Sequence, residues 1–118
     1  MLQTNLKHIL TADGLRKFIE ENENVMICCG RMGPMCIPVY TSMKSLEGTY
    51  IHVQFADMEF DSQEAFVIRN APECSRFMGL PFTVYYKNGK LIKATSGIQD
   101  KEQITSILDS LYGTPSKS

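Results

Sequence analysis

Apolar and polar positions alternate along this chain in two periods, and the places where the period changes mark the elements. Val25-Met26-Ile27-Cys28-Cys29 is an unbroken apolar run, the signature of a strand buried on both faces. Ahead of it, Leu6 to Leu10 reads as a first short strand. Thr11 then serves as an N-cap, and Leu15, Phe18 and Ile19 form the apolar stripe of a helix ending near Glu21. After the run, Gly30-Arg31-Met32-Gly33 breaks the strand, and Pro34 stands at a natural first helical position, where its missing N–H costs nothing. Val39, Met43 and Leu46 continue at helical spacing up to a stop at Gly48. Thr49 to Ala56 alternates, with Ile51, Val53 and Phe55 on one face and Tyr50, His52 and Gln54 on the other.

The second half is built from clearer punctuation. Asp57 to Met78 reads as a long connection holding short helices, one capped at Asp61 or Ser62 and one started by Ala71-Pro72 near Cys74. Phe82 to Tyr86 and Leu91 to Thr95 are strands joined through Asn88-Gly89, the pair favoured by a type I′ hairpin turn. Asp100 with Gln103 resembles a capping box, and Ile104, Ile107, Leu108 and Leu111 line the last helix. Gly113 ends it, and 114–118 is a polar tail. The predicted order is β-α-β-α-β-(α)-β-β-α: an α/β fold with a central mixed sheet and helices on both faces.

Composition narrows the function classes. At 118 residues the chain reads as a single domain, 1–118, able to bury a core without staples. Its net charge of −1 gives no reason to expect nucleic acid or an anionic membrane. No basic start followed by an apolar stretch marks a signal peptide, and no run approaches the ~20 apolar residues of a membrane span. A cytoplasmic location with reduced thiols is the expectation, no cofactor is called for, and the oligomeric state is open. The four cysteines, at 28, 29, 36 and 74, match no disulfide framework.

Several segments together resemble the thioredoxin family. Strand, glycine-rich break and proline-started helix reproduce its active-site turn, with Met32-Gly33-Pro34-Met35 standing where a thioredoxin carries Cys-Gly-Pro-Cys. Met78-Gly79-Leu80-Pro81-Phe82-Thr83 is similar to the segment in which a proline opens a strand. Tyr86-Lys87-Asn88-Gly89-Lys90 is similar to the family hairpin, and Gly97 to a glycine before the last helix. The likeness runs without a gap from Val25 to Cys36. With one insertion, the extra helical segment at about 57–78, it covers roughly residues 5 to 112. It implies the thioredoxin fold and a cis Leu80–Pro81 bond.

The departures bear on chemistry. A disulfide reductase needs an attacking thiolate and a resolving thiol, whereas a methionine cannot ionise and stops at the sulfoxide. Met26 stands where the family has a buried carboxylate, and Arg31 where it has tryptophan. Two functional readings follow. In one, the chain is a non-catalytic or weakly redox-active module that binds a partner polypeptide. Leu80 and Pro81 pair with an extended segment, with Met32, Gly33, Pro34, Met35 and Gly97 around it. In the other, it is a thiol–disulfide oxidoreductase or redox sensor acting on a thiol protein through Cys36. Helix-terminus placement would activate that thiol, the resemblance implies that it faces outward, and a Cys29–Cys36 bridge would resolve it. A lesser alternative is Cu(I) binding by Met32, Met35 and Cys36, since thioether and thiolate sulfurs suit that ion. No other metal is indicated.

Overall fold

The apolar run after Asn24 lies in the middle of a five-stranded sheet, where both of its faces are covered. The structure is a computed structural model and describes residues 2–115; the predicted polar tail lies outside it from 116 onward. The strands are β1 (Lys7–Ile9), β2 (Asn24–Gly30), β3 (Gln54–Glu59), β4 (Phe82–Lys87) and β5 (Lys90–Ser96). Their order across the sheet is β1-β3-β2-β4-β5. The first three run parallel, and β4 and β5 join antiparallel. The four α-helices are α1 (Ala12–Glu21), α2 (Ile37–Leu46), α3 (Phe66–Arg69) and α4 (Lys101–Tyr112).

Strand periodicity divides the core in two. Met26 and Cys28 of β2 point to one face with Tyr85, against Val39, Tyr40 and Met43 of α2 and Ile104 and Leu108 of α4. Val25, Ile27 and Cys29 point to the other, with Val84, against Leu15 of α1 and Ile68 of α3. Helices therefore cover both faces of one mixed sheet. Among the described residues no helix is long and apolar enough to cross a membrane.

Local sequence explains most boundaries. The Thr11 side chain accepts the Gly14 N–H at the start of α1. At the start of α4, Asp100 and Gln103 form the reciprocal capping box. Asn88 (φ 53°) and Gly89 (φ 80°) take the left-handed conformation of the tight hairpin between β4 and β5. Ser62 caps a 3₁₀ turn at Gln63–Ala65 that leads into α3, and Pro72–Cys74 forms another.

One strand differs from its predicted place. β3 occupies 54–59 instead of Thr49 to Ala56. Thr49 and Tyr50 N–H groups fold back on the Leu46 carbonyl (3.1 and 2.8 Å), so 49–53 completes the helix end in turns. Tyr50 is buried and donates to Asp109 of α4 at 2.6 Å, while Ile51 is left exposed. Local turn bonds and the Tyr50 anchor override the alternation of 49–53. Residues 57–59, predicted to open the long connection, therefore lie inside the sheet.

Candidate functional site

At the end of β2 the chain turns over the sheet, and Gly30 makes that turn possible. A Cβ there would lie 2.8 Å from both Cys36 Sγ and Tyr40 Oη, and 3.1 Å from Pro81 Cβ. A side chain has no room at this crossing, so three segments converge on one glycine. Pro81 follows a cis peptide bond from Leu80, and its carbonyl accepts the Gly97 N–H at 3.0 Å. Gly97 has φ 85°, a conformation that favours glycine. Among the described residues, no backbone hydrogen bond outside the sheet and helices engages Leu80.

The turn itself corrects two expectations. Cys36 and Ile37 N–H groups both donate to the Gly33 carbonyl (3.1 and 3.0 Å), making a single helical turn. α2 proper starts at Ile37, with Pro38 in its first turn, and not at Pro34. Pro38 has no N–H to offer the Pro34 carbonyl, so the ladder breaks and restarts with Val39 and Tyr40 bonded to Cys36 O. Cys36, expected to face outward, is instead 3% exposed. Its sulfur lies in the niche left by Gly30 and accepts the Arg31 N–H at 3.4 Å.

Arg31 holds the other side of the turn. Its guanidinium grips Asp61 through two bonds of 2.7 and 2.8 Å and lies over the Phe60 ring. Its carbonyl accepts the Tyr40 hydroxyl at 3.2 Å. The paired Arg31 keeps the Asp61 carboxyl below its usual range.

All four thiols are free and buried, but they do not share one side of the sheet. Cys28 lies in the same core cluster as Cys36, whereas Cys29 and Cys74 belong to the cluster on the opposite face. Of the two neighbouring strand thiols it is Cys28, and not Cys29, that shares the Cys36 side of the sheet, because adjacent strand residues point oppositely. Cys74, expected to be half-buried, is enclosed as well. Burial pushes the Cys28 and Cys74 thiols up and takes Cys29 to about 12. A thiol reagent at neutral pH is accordingly expected to label native protein on the order of 100-fold more slowly than unfolded protein, where all four react. Rapid labelling of native Cys36 would show that its sulfur faces outward after all.

A buried carboxylate also appears where the sequence reading did not look for one. Asp57 of β3 sits opposite Cys28 in register, only 1% exposed. It accepts from the Thr4 hydroxyl and pairs with His8 Nδ1 at 2.7 Å. Burial raises its pKa, against the lowering effect of those two partners. The available signal was a single charge inside the apolar stretch Phe55-Ala56-Asp57-Met58, since a buried carboxylate requires partners.

Beside the Arg31–Asp61 pair, several large apolar side chains reach the surface. Met32, Met35, Met78 and Ile98 are exposed on the loops that leave the sheet at the Gly30 and Phe82 ends of their strands. Beside Met32, a hollow of about 400 Å³ opens between residues 3–5 and Ile37, Tyr40 and Thr41 of α2. The inward Cys36 sulfur is withdrawn from the surface that carries Met32 and Met35, so the sulfurs considered for Cu(I) are not presented together. No group of three or more histidine, cysteine or acidic side chains fit to hold a metal occurs among the described residues.

No protein-family model matches the sequence, and no curated protein matches it either. Solved structures do. The chain is similar to Fasciola hepatica thioredoxin, at 20% identity and TM-score 0.74, over 89% of this chain and 98% of that one. It is similar to the oxidised mitochondrial thioredoxin 3 of Saccharomyces cerevisiae, at 24% identity and TM-score 0.70, over 88% and 94%. A mutant thioredoxin from Halobacterium salinarum matches at 16% identity and TM-score 0.75, over 95% and 93%. With so little identity, what these proteins share with this chain is the path of the backbone: a parallel three-strand unit, an antiparallel hairpin and helices on both faces, which is the thioredoxin fold.

Proposed function

We propose that this chain is a partner-binding module, non-catalytic or weakly redox-active, that receives a polypeptide at the Met32–Met35/Pro81 surface. One observation carries the reading. At the end of the sheet where the resembled family presents a dithiol, this chain exposes Met32 (42%) and Met35 (49%) and buries every cysteine. Thioether side chains adapt to varied apolar contacts, and they supply no nucleophile. Leu80, whose backbone is unengaged beside Pro81, offers main-chain groups to an extended segment in the manner of strand addition. Gly33 and Pro34 form the turn between the two methionines, and Gly97 is tied to Pro81 through its N–H. A cytoplasmic setting suits four unpaired thiols.

A second reading is favoured by a different observation. The Asp57 carboxylate lies on the same face as Cys28 and Cys36, and a carboxylate beside a thiol pair can accept a proton. Under that reading the chain is an oxidoreductase or redox sensor using Cys36, and its partner is a thiol protein. Dithiothreitol-coupled reduction of a protein disulfide separates the two. The binding reading expects little or no turnover above the rate without protein, and none that depends on Cys36. Turnover that disappears in Cys36→Ser would establish the second reading and overturn the first.

A further inference from the structure

The six described methionines fall into two sharply different environments. Met26, Met43 and Met58 are fully buried, at 0% exposure, whereas Met32, Met35 and Met78 are 42%, 49% and 98% exposed. The exposed three are not scattered. Met32 and Met35 lie on the turn that follows β2, and Met78 lies on the segment that leads into Pro81 and β4. Cys29 near the end of β2 pairs with Phe82 at the start of β4, so both segments leave the sheet at the same end. The thiols that would ordinarily intercept an oxidant are enclosed, and burial holds Cys28, Cys29 and Cys74 toward their neutral, less nucleophilic forms. Among the described residues the accessible sulfur is thioether sulfur, carried on two segments that leave the sheet at one end.

We propose that Met32, Met35 and Met78 form a methionine-oxidation site, at which a peroxide converts an apolar surface into a polar one. In the step, a thioether lone pair attacks one peroxide oxygen. The O–O bond breaks as the S–O bond forms, and sulfur loses two electrons. The departing hydroxide takes the proton of the transferred oxygen and leaves as water, so each methionine gains one oxygen atom. The product is a sulfoxide, polar and chiral, which disrupts methionine-rich contacts. This effect on recognition rests on the partner-binding reading; the chemistry of the site does not.

The local geometry also sets an order. Met78 is almost wholly exposed and reacts first, followed by Met35. Met32 reacts last of the three, because its Sδ already accepts the Gln3 N–H at 3.3 Å, which engages one lone pair. Once oxidised, its oxygen is a stronger acceptor than the thioether and holds the 3–5 segment beside the hollow on α2.

The test uses the full chain and hydrogen peroxide, with time-resolved peptide mapping by mass. The expected result is one added oxygen each at Met78, Met35 and Met32, in that order. Met26, Met43 and Met58 are expected to react on the order of 10-fold or more slowly. The thermal midpoint should stay unchanged, and retention on a phenyl matrix should fall. The triple variant M32L/M35L/M78L should keep its retention through the same treatment. Oxidation appearing first on a cysteine, or equally on buried and exposed methionines, would overturn the site. Unchanged retention after complete modification would overturn its effect on the surface. The mapping needs no partner, so failure of this site and failure of the partner-binding reading are distinguishable.

Discussion

Converting Met32 and Met35 together to cysteine is expected to raise disulfide reduction from background by on the order of 100-fold, because an attacking and a resolving thiol would then stand in one exposed turn. Met32 immediately precedes the turn that carries Met35, and a disulfide between the new thiols requires Cα atoms within ~7 Å. The Gly33 carbonyl already closes that turn by accepting the Cys36 and Ile37 N–H groups, so the new thiols would be held in place. Both positions are exposed now, which gives a protein disulfide access. The single variant Met32→Cys should capture a disulfide substrate as a mixed disulfide and stop there, lacking a resolving thiol. The measurement is dithiothreitol-coupled turnover for the two single variants and the double variant. A double variant that forms its internal disulfide yet reduces no polypeptide would mean that this surface does not receive one, and the binding proposal would fall with it.

Gly30→Ala is expected to destabilise the protein by about 1–3 kcal/mol, the usual cost of overpacking a well-filled core. The added methyl would meet Cys36 Sγ and Tyr40 Oη at 2.8 Å and Pro81 Cβ at 3.1 Å. Ordinarily the end of a side chain could swing aside. Here Cys36 and Tyr40 are both 3% exposed, and the proline ring cannot rotate. A double-mutant cycle with Cys36→Ala identifies the cause, since removing the sulfur opens space on one side of the new methyl. Chemical denaturation of the four proteins should give a favourable coupling of at least ~0.5 kcal/mol, as expected of residues in direct contact. Strict additivity would place the Cys36 sulfur away from Gly30, and with it the inward orientation that makes this thiol inaccessible.

Those two positions also mark the boundary between what was legible in the residues and what was not. The β2 run was readable because burial on both faces leaves no polar residue for alternation to place. The hairpin was readable because Asn88 and Gly89 tolerate positive φ where most residues do not, and α4 because its capping box is written in local spacing. The hairpin and capping signals depend on interactions within a few residues, and the β2 run shows in composition alone. The resemblance to thioredoxins drew on the same kind of feature, glycines and prolines at fixed intervals, which is why it found the backbone.

The errors share a different cause. Pro34 carried a strong helix-start signal, yet Pro38 four residues on removed the donor that would have joined the two turns, and Cys36 turned inward at the break. Thr49 to Ala56 alternated like a strand, but Tyr50 was drawn to Asp109 across 59 residues of chain. Asp57 looked like the start of a loop because a lone carboxylate in sequence has no visible partner. Only folding brings Thr4 and His8 to it.

By itself, then, the sequence determined the order and type of the main elements, the hairpin, the caps and the absence of thiols from positions 32 and 35. Only the tertiary structure decided which sulfurs face solvent, which thiols share a side of the sheet, and that a carboxylate is buried opposite Cys28. Propensity and capping act over a few residues and are written locally. Burial and long-range pairing depend on which segments meet, and that is settled when strands distant in the chain come into register.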